Sequence, residues 1–97
     1  MVMTTIGKRV YFSGGKQSGT VEDEVYLLEE YEDKDFLDLI QYIRWDKGWF
    51  GIRVCYYGRI HGSGDKGRKF ANRPLAISSE NYKKLLKKAS KKDWFRN

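Results

Sequence analysis

The chain has 97 residues, a formal net charge of +6 and a pI of about 9.5, with 40% hydrophobic and 15% aromatic residues. That length holds one hydrophobic core. The apolar content argues against wholesale disorder, and no apolar run nears the roughly 18 residues of a membrane span. One cysteine, Cys55, excludes an internal disulfide and any multi-cysteine zinc site, so the expectation is a small, soluble, intracellular domain with no metal and no cofactor.

In chain order, Gly7–Phe12 alternates as a short strand, and the run 14–19 (GGKQSG) is turn material. Glu22–Glu32 reads two ways. Val21, Val25 and Leu28 fit a helical stripe, whereas Val25-Tyr26-Leu27-Leu28 fits a buried strand, which the clustered aromatic and β-branched residues favour. Phe36–Trp45 and Trp49–Tyr57 are predicted strands joined by Asp46-Lys47-Gly48, a hairpin turn whose glycine supplies a positive φ. On the first of these strands Leu37, Leu39, Gln41, Ile43 and Trp45 share one face, with Phe36, Ile40, Tyr42 and Arg44 on the other. Gly58–Gly67 reads as a glycine-rich loop and Pro74–Ser78 as a short last strand. A helix follows, capped by Ser78 or Ser79, with an apolar stripe of Tyr82, Leu85, Leu86 and Ala89 between lysines. The fold class expected is α+β, a curved antiparallel sheet backed by the C-terminal helix. The domain proper covers residues 36–97, and residues 1–35 form an N-terminal extension with a strand and an acidic segment.

Charge divides the chain unevenly. Residues 44–97 hold fifteen Lys and Arg against four acids, while residues 1–43 hold nine acids, all between Glu22 and Asp38, against four bases. A basic half beside an acidic segment suggests a polyanion-binding surface with something that offsets it.

No catalytic constellation is present. His61 is the single histidine, and its neighbours Ser63 and Asp65 share one glycine-rich loop that cannot hold a triad rigid. The run 62–69 (GSGDKGRK) has phosphate-loop glycines, but Arg68 stands where the lysine belongs and Lys69 where Ser or Thr would hold magnesium. Basic and aromatic residues, by contrast, interleave on the predicted strands. Unpaired bases stack on open aromatic rings while Lys and Arg track the phosphates. The candidate nucleic-acid-binding residues are Arg44, Trp45, Lys47, Trp49, Arg53, Tyr57, Arg59, Lys66, Arg68, Lys69 and Arg73. A duplex reader would carry Arg, Asn and Gln on a helix face. The helix here is flanked by lysines, which favours single strands.

Across residues 41–89, the segments YIRWDKGWFGIRVCYY, GDKGRK and PLAISSENYKKLLKK resemble the single-stranded-DNA-binding domain of the transcriptional coactivator positive cofactor 4. The resemblance lies in Trp45 with Lys47-Gly48, Ile52-Arg53 with Tyr56-Tyr57, Gly67-Arg68-Lys69, and Glu80-Asn81-Tyr82 at the helix start. It implies a Whirly-like homodimer with channels for single strands. It further implies that Trp45 stacks a base and that Lys47, Arg53, Arg68 and Lys69 meet phosphates. The expected function is non-enzymatic, largely sequence-independent single-stranded DNA binding in transcription, replication or repair. A small nuclease using His61, an RNA binder and an interaction module working through the acidic segment stand as alternatives.

Overall fold

The computed structural model describes residues 4–12, 15–60, 69–70 and 77–94, with the backbone alone at 59–60 and 69–70. Five strands, β1 (Arg9–Phe12), β2 (Gln17–Glu30), β3 (Lys34–Trp45), β4 (Phe50–Ile60) and β5 (Lys69–Phe70), precede one helix, α1 (Ser79–Ala89). The strands pair antiparallel in sequence order, so the sheet is a meander. It curves into a half-barrel with α1 on one side, an α+β architecture.

The central hairpin forms where the alternation places it. Gly48 takes φ +102° in the turn, a conformation that disfavours a side chain. The register sets Leu39 against Cys55 and Gln41 against Arg53. Leu37, Leu39, Gln41, Ile43 and Trp45 are all buried on one face. Over that face β1 and the residue before it meet β4: the Arg53 guanidinium lies 5.3 Å from the Phe12 ring and the Lys8 ammonium 5.9 Å from the Tyr57 ring. Strands three places apart touch this way only if the sheet curls towards that face, which is therefore its inside.

Strand β2 resolves the ambiguity in residues 22–32. A β-bulge at Glu22 shifts the register, so that Val21 pairs with Ile43 but Asp23 pairs with Tyr42. One extra residue reverses the alternation. Val21 consequently packs inside with Val10, Ile43 and Trp45, whereas Val25 packs outside with Ile40 and Leu85, and Leu28 is inside again with Leu37 and Leu39. The 4-then-3 spacing that imitates a helix comes from a bulged strand covered on both faces.

The outer face carries α1. Ser78 is the cap, its Oγ accepting from the Asn81 N–H at 3.1 Å. Glu80 in the first turn and Lys87 and Lys88 in the last complement the helix dipole. Leu85 and Ala89 press on Val25, Ile40 and Trp94, and burial of this kind supplies most of a short helix's stability. The expected four-residue stripe is split, because Tyr82 and Leu86 remain exposed on a second ridge.

Two expectations about elements are corrected. Gly58–Ile60 continues β4 rather than opening a loop, and Lys69–Phe70 is a strand pairing with Tyr57 and Gly58. Ile77 and Ser78 are not strand, and the rest of the expected Pro74–Ser78 strand lies outside the described residues. The boundary expected at residue 35 falls within β3, whose partner over almost its whole length is β2. Residues of both expected parts thus build one sheet.

Candidate nucleic-acid interface

The inner face is filled by its own side chains. Trp45 is 8% exposed, with its ring edge-on to Phe12 at 4.8 Å and its Nε1 buried without an acceptor among the described residues. The indole lies over Gly51, where a Cβ would stand 2.6 Å from Nε1. Arg53 donates from Nε to Gln41 Oε1 at 2.7 Å, Gln41 donates to Thr5 Oγ1 at 2.9 Å, and Thr5 donates to Glu24 at 3.0 Å. A buried polar chain with each link made rigidifies what it crosses, and this one ties the N-terminal residues to β4. Tyr57 is half-buried, and burial raises its phenol.

The hairpin rim is different. Trp49 is 51% exposed and leans on Trp45 at 5.2 Å between ring centres. Its carbonyl accepts from the Trp45 N–H at 2.8 Å, which holds the start of β4 against the turn. Lys47 and Lys16 line a small cleft with Trp49 and Ser18, and among the described residues neither lysine forms an ion pair. The β1–β2 turn reaches this cleft because Arg9 grips Asp46 through two contacts, at 2.7 and 2.5 Å, and Ser18 Oγ donates to Asp46 at 2.8 Å. That hydrogen-bonded guanidinium, with Ser18, holds the Asp46 carboxyl well below the usual range. The rim therefore presents one open indole and two unpaired cations, while the nearest carboxylate is occupied.

The candidate residues thus separate. Lys47 and Trp49 come together at the rim, joined by Lys16. Arg44 is nearby but on the outer face, where its Nε meets Glu22 at 2.5 Å. Trp45, Arg53 and Tyr57 all lie on the inner face: Trp45, expected to stack a base, is core; Arg53, expected to meet a phosphate, is partly exposed and tied to Gln41; and Tyr57 is half-buried. Burial is the physical reason: an indole 8% exposed has no free π-face for a base. Arg59 and Lys69 are placed by backbone only, in β4 and β5, and Lys66, Arg68 and Arg73 lie outside the described residues, as does His61. Lys16 was missed because its segment is one of glycines and polar residues, whose approach to the β3–β4 turn is tertiary. Phe50 is not among the candidate residues, yet it is half exposed. The Trp-Phe doublet at 49–50 was the available signal, since adjacent strand residues face opposite ways.

The acidic segment is distributed along the sheet. Glu22 meets Arg44, Glu24 accepts from Thr4 and Thr5, and Glu29 accepts from Asn81 Nδ2 at 2.5 Å. Asp23 accepts from the Trp94 indole at 3.0 Å and meets Lys92 at 3.4 Å. Burial pushes Asp23 up, but these donors prevail and hold it low. Asp38 is fully buried with Glu29 alongside, and burial first, then that like charge, raises it to about 7.

Cys55 is buried, and desolvation pushes its thiol up to about 11, so it is no nucleophile at neutral pH. Among the described residues no group of three His, Cys, Asp or Glu side chains could hold a metal, and no helix is long and apolar enough to cross a membrane. Compared with models of known families, with curated proteins and with solved structures, the chain matches none.

Proposed function

We propose that this chain is a non-enzymatic, largely sequence-independent binder of single-stranded nucleic acid that works as a homodimer in transcription, replication or repair. The observation that carries the reading is the rim, where the half-exposed Trp49 indole stands beside Lys16 and Lys47, neither ion-paired among the described residues. A ring open to stacking with cations at its edge is what an unpaired nucleotide needs. The fifteen bases of residues 44–97 supply the longer-range attraction. DNA is preferred over RNA on the resemblance to positive cofactor 4 domains. The homodimer is favoured by an open apolar groove of about 490 Å³ between α1 and β4, lined by Ile52, Val54, Tyr82 and Leu86. An interaction module acting through the acidic segment has less support, since Glu22, Asp23, Glu24 and Glu29 are each engaged within the fold.

Tryptophan fluorescence titrated with a 20-nucleotide oligothymidylate and with a matched duplex, at low and moderate salt, tests this. The expected result is preferential quenching by the single strand, weakening with log salt by about 0.7 per phosphate contacted. Equal, unquenched binding to both forms, or binding to neither, would overturn it.

A further inference from the structure

On the outer face three aromatic rings form a column across the sheet. Trp94, returned by the turn after α1, lies parallel to Tyr42 of β3, with 5.4 Å between ring centres and 2° between planes. Tyr42 lies parallel to Phe50 of β4 at 4.9 Å and 9°. The indole end is fixed by its hydrogen bond to Asp23. The column runs outward from the helix side, and its last ring is at the sheet edge: β5 meets β4 only at Tyr57 and Gly58, so no described strand lies beyond Phe50. Phe50 is accordingly 49% exposed. It borders an open groove of about 570 Å³ that also holds Arg44, Lys91 and Lys92. The groove also holds the carboxylates of Glu22, Asp23 and Asp93; Arg44 meets Glu22 and Lys92 meets Asp23, while the Lys91 ammonium forms no ion pair among the described residues.

We infer that Phe50 is a second base-stacking site, at which an unpaired nucleobase extends the Trp94–Tyr42–Phe50 column by one more ring while Lys91 meets its phosphate. The inference rests on the single-strand reading and adds a path to it. Trp49 and Phe50 are consecutive and both open, yet they face opposite sides of the sheet, so a bound strand crosses the β3–β4 rim from one to the other. A flat, neutral heterocycle suits this place because the existing rings are already offset-stacked with nearly parallel planes, an arrangement favoured for aromatic surfaces. The column also holds Phe50 in position before binding, so little ordering is lost when the base arrives.

The test uses the full chain with a 20-nucleotide oligothymidylate containing 5-iodouracil, irradiated and mapped by mass spectrometry. The same strand is titrated against wild type and Phe50→Leu, the latter keeping apolar bulk but lacking a π-face. Crosslinks are expected at Phe50 as well as Trp49, with binding by Phe50→Leu about tenfold weaker and an unchanged melting temperature. Crosslinks at Trp49 alone, with Phe50→Leu within twofold of wild type, would overturn the second site and leave the single-strand reading standing. Neither crosslinks nor binding in wild type would overturn both. Loss of self-association in Phe50→Leu, with nucleic-acid affinity intact, would assign the ring to a second copy and overturn the inference.

Discussion

The two faces of the β3–β4 hairpin carry similar residues and put them to different uses. Inside the curl, Leu37, Leu39, Gln41 and Ile43 are fully buried and the cationic Arg53 is tied into a polar chain. Outside, α1 covers only part of the sheet, leaving Phe50, Ile52 and Val54 open on β4. The difference is made by β1 and the residues before it. Phe12, Lys8 and Thr5 reach over the inner face, while on the outer face nothing described covers the end of β4. An aromatic or basic residue on a strand is therefore a candidate ligand-binding group only on the face that the rest of the chain leaves uncovered.

That contrast is broken most severely by emptying the inner face. Leu39→Ala removes a fully buried side chain and is expected to cost about 2–5 kcal/mol, read as a large drop in urea midpoint with unchanged slope. Leu86→Ala on the open ridge of α1 is expected to cost well under 1 kcal/mol in the same assay at concentrations where the chain is monomeric, and more where the proposed dimer forms. Comparable losses would mean that the outer ridge is buried in a tight dimer under those conditions.

Asp38 tests burial on the outer side. Its folded pKa of about 7 lies above the ordinary carboxylate value of 3.8, so the folded chain holds this proton more tightly than the unfolded chain. The stability it contributes is present below about pH 4, is lost as pH rises through 7, and leaves a penalty above that. Asp38→Asn is expected to raise stability at pH 8 by about 2 kcal/mol and to flatten the decline between pH 4 and 7. Thermal melts across that range decide it; a parallel decline in both proteins would contradict it.

Smaller effects sharpen the functional side. Trp49→Ala is expected to weaken single-strand binding by about 1–2 kcal/mol while leaving the melting temperature nearly unchanged, measured by titration and calorimetry. Lys47→Ala and Lys16→Ala are each expected to reduce the log–log salt slope by about 0.7, with no change in preference for single strands over duplex.

Much of this fold was legible from local pattern. Period-2 alternation assigned Leu37 through Trp45 to one face, and Gly48 and Ser78 marked a turn and a cap by chemistry confined to a few residues. The bulge at Glu22 was not legible, because one extra residue reverses the faces of β2 without any distinctive residue type, and the resulting spacing imitates a helix. The candidate site was legible only as a composition. Lys47 and Trp49 could be picked out, but that Trp45 is covered depends on Phe12, more than thirty residues earlier. The Tyr42 stack depends likewise on Trp94, some fifty residues later. Contacts at those separations leave no local periodicity to read.

Whether nucleic acid meets the hairpin rim and not the inner face is decided by mapping backbone amide shifts in a ¹⁵N-labelled chain titrated with a 20-nucleotide oligothymidylate. Fast or intermediate shifts are expected at Lys16, Lys47, Gly48, Trp49, Phe50 and Lys91 alone, with Leu37, Leu39, Gln41 and Arg53 unmoved. Shifts centred on those inner residues, or none anywhere at saturating oligonucleotide, would contradict binding at the rim.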